Sequence, residues 1–218
     1  LKFGVKMKIL ITGAGSGIGK ACSELLSAKG HKILTLKSRF ENLDDLLKEV
    51  RNLEQKHEIS AVILSAGFGI FAPLEAIKTD EILRLINVNL SANILICREL
   101  LKNLKRNRAH IIGIASIEAL RFSRFSSVYS ASKAGLRAFL LSLFEDVRKE
   151  IKVTCISPDI TKTAFFDNLN FGVSDDENSY IDADEIANFV LEILQTKSNV
   201  SEFVIRPRIV QINKIKHK

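Results

Sequence analysis

The segment Met7–Gly19 constrains this chain more than any other. It runs MKILIT into TGAGSGIG, and the helical pattern KACSELLSAKG follows directly. A short apolar strand, a glycine-rich turn and an amphipathic helix, in that order, make a corner where backbone can approach a phosphate. The missing side chains let the main chain come close, and the free amides of the helix N-terminus offer donors to the anion. Gly13, Gly17 and Gly19 give a GxxxGxG spacing, with Ile18 where the stricter GxGxxG pattern has its last glycine. Gly13, Ser16, Gly17, Ile18 and Gly19 are therefore candidate cofactor contacts.

The rest of the chain alternates strands and helices as such an opening requires. Gly30 reads as a helix C-cap, and KILTLKSR after it as a second strand. AVILSAG (Ala61–Gly67), HIIGIAS (His110–Ser116), KVTCISP (Lys152–Pro158) and EFVIRP (Glu202–Pro207) are further apolar runs with strand character. Helical stripes lie between them: over Glu41–Lys56, from an N-cap at Thr79 towards Lys102, through Leu136–Val147, and from Asp182 or Asp184. The expected architecture is α/β, a doubly wound Rossmann-type parallel sheet with helices on both faces, in one domain with a core of 7–207 and a basic tail of 208–218. Between the second strand and Ala61 there is room for one long helix and at most a rudimentary strand, since a full strand–helix–strand–helix passage takes about 50 residues. The sheet is expected to be trimmed near its third strand.

The carboxyl end of the second strand is where this architecture meets the adenosine ribose, and an acidic residue there favours NAD. The sequence instead offers Lys37, Ser38 and Arg39, two cations and a hydroxyl suited to a 2′-phosphate. NADP is the cofactor expected.

Ser116, Tyr129 and Lys133 stand thirteen and four residues apart. The four-residue step stacks Tyr129 and Lys133 on one helix face. A phenol has an unperturbed pKa of about 10, and a neighbouring ammonium is expected to lower it towards the range of a general acid/base. Ser116, at the carboxyl end of its strand, could bond a substrate oxygen beside that phenol.

The net charge of +7 is spread along the chain, without the aromatic or glycine-rich pattern of a nucleic-acid binder. Cys22, Cys97 and Cys155 are odd in number and widely spaced, which suits buried, reduced thiols in a cytoplasmic protein. No apolar run approaches the roughly 18 residues of a membrane span, and no metal-ligand pattern is present. No membrane or nucleic-acid partner is expected.

Together, TGAGSGIG, the NVNL stretch with Asn89, Ser116 and Tyr129-x-x-x-Lys133 resemble the short-chain dehydrogenase/reductase family from about Met7 to Pro207. The resemblance implies hydride transfer between a nicotinamide cofactor and a small carbonyl/alcohol pair. Asn89, Ser116, Tyr129 and Lys133 would be catalytic, with Lys133 also holding the nicotinamide ribose and Asn89 holding a water that joins Lys133 to solvent. Ala66 and Gly67 keep the close backbone of the family's NNAG, which here reads LSAG. SPDITKT matches the proline-glycine segment, so Pro158, Thr161 and Thr163 would meet the cofactor, although Asp159 replaces the glycine. Asp44 is a candidate for the acidic residue that contacts adenine. Leu120, Phe122, Phe165 and Phe166 are expected to line the substrate pocket, under a loop over Thr161–Tyr180. The family also implies a homodimer or homotetramer. Two alternatives are a cofactor-binding scaffold without turnover and a nucleotide-sugar epimerase or dehydratase, the latter needing a larger C-terminal region.

Overall fold

The computed structural model describes residues 6–214. Ten strands form: β1 (Lys8–Thr12), β2 (Lys32–Leu34), β3 (Ala61–Leu64), β4 (His110–Ile114), β5 (Lys152–Pro158), β6 (Thr161–Lys162), β7 (Phe171–Val173), β8 (Ile181–Asp182), β9 (Glu202–Ile205) and β10 (Ile212–Lys214). Six of them make one all-parallel sheet in the order β2-β1-β3-β4-β5-β9. The α-helices are α1 (Gly17–Ala28), α2 (Leu43–Lys56), α3 (Thr79–Ile86), α4 (Ala92–Arg106), α5 (Ser127–Val147) and α6 (Ala183–Gln195).

The central strands β3 and β4 are buried along their whole length. That is what a parallel sheet covered on both faces demands, and it explains their unbroken aliphatic sequence. One face packs under α2, α4 and α5 around Leu46, Leu100 and Leu140. The other packs under α1 and α6 around Cys22, Leu26 and Val190. The three cysteines are all buried and free.

The chain leaves β1 in one direction to form β2 and returns on the other side to form β3, so the order reverses between β1 and β3. Crevices in open parallel sheets form at such a reversal, outside the carboxyl ends of the strands. The glycine turn after β1 and the LSAG segment after β3 both open there. Beyond β2 no further strand pairs at that edge among the described residues, and α2 runs directly back to β3. The expected trimming is therefore present. It goes further than the sequence suggested, because KILTLKSR is strand only over Lys32–Leu34.

The helix expected from an N-cap at Thr79 towards Lys102 has Lys78 in the N-cap position instead, with Thr79 its first residue. The Lys78 amide donates to the Glu81 carboxylate at 3.0 Å, and the helical segment continues to Arg106. It is interrupted by a π-helical turn at Asn87–Ser91. Such a turn inserts a residue and redirects neighbouring side chains and carbonyls, and Asn89 sits in its middle. Part of the expected basic tail is a strand: β10 pairs antiparallel with β7. The last residues of that tail, 215–218, lie outside the described residues.

Candidate active site

At the carboxyl edge of the sheet lies a cavity of about 1080 Å³. Its floor on one side is the glycine corner, with Gly13, Ser16, Gly17 and Ile18 in the lining. Gly13 has φ +68°, and a Cβ there would stand 2.9 Å from the Ala66 Cα, so the turn closes on the LSAG backbone only without a side chain. Thr12 fixes that approach by accepting from the Ser65 and Ala66 amides at 2.9 and 3.0 Å. Gly19 is not in the lining and supports the turn from behind.

Ser116, Tyr129 and Lys133 converge on the same cavity. Ser116 ends the segment after β4 and its hydroxyl caps the next turn, accepting from the Glu118 amide at 3.2 Å. Tyr129 and Lys133 lie one turn apart on α5, each 5% exposed. The Lys133 ammonium donates to the Ile114 carbonyl at 3.0 Å. A Cβ on Gly67 would come within 3.1 Å of Asn89 Oδ1 and 3.3 Å of Lys133 Nζ. Glycine at 67 therefore leaves the space in which the lysine head group sits.

Asn89 is fully buried and its side chain is fully used. Oδ1 accepts from the Phe68 amide at 3.0 Å, while Nδ2 donates to the Phe68 carbonyl at 2.9 Å and to Ser132 Oγ at 3.1 Å. Ser132 in turn donates to the Tyr129 carbonyl at 2.7 Å. The asparagine thus ties the loop after β3 to the turn of α5 that carries Tyr129. Its own carbonyl accepts from Asn93 Nδ2 at 2.9 Å.

The electrostatics reverse one sequence expectation. Burial pushes the Tyr129 phenol up to about 12, against a bond from Ser116 that pulls it down, and the Glu118 carboxylate adds to the rise. Burial also brings the Lys133 ammonium down to about 8. Both groups are desolvated by burial, and desolvation disfavours phenolate and ammonium alike. The tyrosine is accordingly held protonated rather than primed as a phenolate.

The proline segment lines the cavity through Pro158, Thr161 and Thr163. Asp159 has a structural reason to replace glycine there. Its carboxylate is buried and accepts from Arg121 Nη2 at 3.0 Å and Arg206 Nε at 3.1 Å. Beside it Glu118, also buried, accepts from Ser123, Ser126 and Ser130 hydroxyls and from Arg121. No sequence motif announced either cluster.

Phe165 and Phe166 line the cavity, but Leu120 and Phe122 do not. Phe122 is 80% exposed and faces a separate shallow groove over α5, because the turn after Ser116 directs it outwards. The side chains that complete the wall are Phe71 and Phe171. Ring centroids of Phe71 lie 5.1 Å from Tyr129 and 5.0 Å from Phe171, and Phe165 lies 5.8 Å from Tyr129. Ile212 of β10 closes the far side. Lone phenylalanines carry no signal in sequence, and only the pairing of β7 with β10 brings Phe171 and Ile212 together.

Lys37, Ser38 and Arg39 stand outside the cavity, past the end of β2. The backbone amides of Lys37 and Ser38 are taken by the Glu49 carboxylate of α2, at 2.9 and 3.0 Å for Lys37 and 2.8 Å for Ser38. Asp44 is exposed in the first turn of α2. Among the described residues no cluster of histidine, cysteine or carboxylate side chains could hold a metal ion, and no helix is long and apolar enough to cross a membrane.

The short chain dehydrogenase family profile matches residues 7–64 and 54–173. An uncharacterized oxidoreductase of Staphylococcus epidermidis is 30% identical over 235 residues, covering 93% of this chain and 98% of the relative. One from Staphylococcus aureus is 29% identical, covering 91% and 96%. Among solved structures, an alcohol dehydrogenase of the archaeon Thermococcus sibiricus complexed with 5-hydroxy-NADP superposes with a TM-score of 0.82 at 20% identity, covering 93% of this chain and 97% of that one. A 4-hydroxyisoleucine dehydrogenase complexed with NADH and succinate gives 0.79 at 22% identity, covering 91% and 97%.

Proposed function

The chain belongs to the short chain dehydrogenase family and is a nicotinamide-dependent oxidoreductase, and from that premise we propose that it transfers hydride between NADP(H) and a small, partly apolar carbonyl/alcohol pair, with Tyr129 as general acid/base. The observation that carries this reading is the convergence of Ser116, Tyr129 and Lys133 on one cavity continuous with the glycine corner.

The cavity fits the cofactor in chemical terms. Gly13, Ser16, Gly17 and Ile18 offer backbone at the start of α1 for a pyrophosphate. Ala66, Gly67, Pro158, Thr161 and Thr163 form the channel onward to Tyr129 and Lys133. When bound, the nicotinamide supplies or takes the hydride, and the protein supplies orientation and the proton.

In reduction, the Tyr129 hydroxyl donates its proton to the substrate carbonyl oxygen. A phenol held at about 12 starts in the protonated state this requires. Ser116 donates a hydrogen bond to the same oxygen as negative charge develops on it. Lys133, held near 8, can return a proton to the tyrosine and hold the ribose hydroxyls. Asn89 keeps the geometry by fixing the Phe68 backbone and, through Ser132, the Tyr129 turn. The aromatic wall of Phe71, Phe165, Phe166 and Phe171 favours an apolar substrate body.

Preference for NADP rests on the exposed Lys37 and Arg39 side chains at the end of β2. The chain acts as a single domain in the cytoplasm and assembles into a homodimer or homotetramer, which sedimentation would test by finding more than monomer.

The deciding experiment is Tyr129→Phe. Turnover over a panel of carbonyl compounds should fall at least about a hundredfold, while fluorescence titration shows NADPH still binding. Undiminished turnover would remove Tyr129 from the chemistry. Binding without turnover in the unaltered protein would favour the scaffold alternative.

A further inference from the structure

We propose that Glu49 is a specificity-determining residue for the cofactor, one that restrains the preference for a 2′-phosphate. The inference rests on the nicotinamide-cofactor reading above.

Strand register locates the site. Leu10 of β1 stands opposite Leu34 of β2. Gly13, the first glycine of the turn, directly follows β1, and Lys37 comes three residues after β2, so both leave the carboxyl ends of paired neighbouring strands. The Lys37–Arg39 segment is thus at the level where the adenosine ribose leaves the pyrophosphate corner. No acidic residue follows β2 directly in sequence. The tertiary structure delivers one from the next helix.

Both Glu49 carboxylate oxygens accept from the Lys37 amide, at 2.9 and 3.0 Å, and one also accepts from the Ser38 amide at 2.8 Å. Partial burial works against its ionisation, but the Lys37 and Ser38 bonds outweigh it and its pKa lies below the ordinary carboxylate value. A stable negative charge therefore occupies two backbone donors that a phosphate would otherwise use. A phosphate only accepts at neutral pH, so it competes with the carboxylate for those amides and is repelled by its charge. A ribose 2′-hydroxyl can donate, and the carboxylate retains a lone pair to receive it.

The opposing pull comes from the side chains of Lys37 and Arg39, both exposed. Glu41 shares the neighbourhood of Arg39 and is bonded by Arg84 Nε at 2.8 Å. Two cations attract the 2′-phosphate while Glu49 withholds the amides and adds repulsion. The short β2 makes this possible: among the described residues no strand pairs beyond it, and α2, the next helix, lays Glu49 across the strand end.

The test is binding of NADPH and NADH to the unaltered protein and to Glu49→Gln, by fluorescence titration. The substitution keeps an amide-accepting oxygen and removes the charge. NADPH affinity should rise relative to NADH by about tenfold, with the melting temperature checked to confirm the fold. Glu49→Ala, in which water solvates the two amides, should move the ratio in the same direction. A ratio unchanged in both variants overturns the inference and leaves the cofactor reading standing. Failure of the unaltered protein to bind either nucleotide would overturn that reading instead.

Discussion

The two walls of the cavity are built on opposite principles. The wall proposed as catalytic comes from short stretches whose spacing is local: Ser116 at a strand end, Tyr129 and Lys133 one helical turn apart, Gly67 just after β3. Its polar atoms are anchored to backbone, as in the bonds from Lys133 to Ile114 and between Asn89 and Phe68. The apolar wall proposed to meet substrate draws Phe71, Phe165, Phe166, Phe171 and Ile212 from separated parts of the chain and joins them by ring contacts and the small β7–β10 pairing. The difference teaches where tolerance lies. Hydrogen-bonded positions are defined to tenths of an ångström and fail when altered, whereas an apolar wall can repack.

The largest expected effect breaks the catalytic wall. Lys133→Met should reduce turnover by about a thousandfold. The same change should raise stability at neutral pH by on the order of 1–3 kcal/mol, because it removes a buried ammonium. The sign follows from the lysine pKa, about 8 when folded against a model value of 10.5. The unfolded chain binds the extra proton between those values, so the cost is full below pH 8 and disappears as the pH rises towards 10.5. Denaturant unfolding of both proteins across that range should show the gap closing; a constant gap would mean the ammonium is not the cause.

A smaller effect is expected on the substrate wall. Phe171→Ala should raise KM about tenfold and leave kcat nearly unchanged, since it removes apolar contact common to ground and transition states. A fall in kcat with KM preserved would place Phe171 in the catalytic wall after all.

Glu118 lies where the two walls meet and sharpens the boundary between them. Its charge adds to the rise of the Tyr129 pKa, so Glu118→Gln should shift the pH profile of alcohol oxidation to lower pH. The amide can still bond Ser123, Ser126 and Ser130, which separates charge from support. A profile that stays in place with reduced rate would assign Glu118 to support alone. The smallest effect belongs to Phe122→Ser: at 80% exposure and outside the cavity, it should leave kcat and KM unchanged in steady-state assays.

Much of the fold was legible because its signals are local. Alternating apolar runs and helical stripes specify strands and helices from neighbours in sequence, and the passage from Lys37 to Ala61 has room for one long helix and at most a rudimentary strand. The glycine corner and the Tyr129–Lys133 step were legible for the same reason, since one turn or one helical repeat defines each geometry. The sequence alone therefore determined the alternating α/β architecture, the glycine corner and the spacing of Ser116, Tyr129 and Lys133, while Asn89 entered only through the family resemblance.

Tertiary structure decided the rest. Leu120 and Phe122 stand near Ser116 in sequence, yet a single turn sends Phe122 into solvent while Phe71 and Phe171 arrive from elsewhere. The phenol beside a lysine ended above its ordinary pKa, because burial depends on everything packed around it and not on the residue four places away. In sequence Lys37, Ser38 and Arg39 read as a site for a 2′-phosphate; in the structure α2 brings Glu49 onto the Lys37 and Ser38 amides. Periodicity specifies what a segment becomes; which distant segments meet, and how much water they exclude, is set only when the whole chain packs.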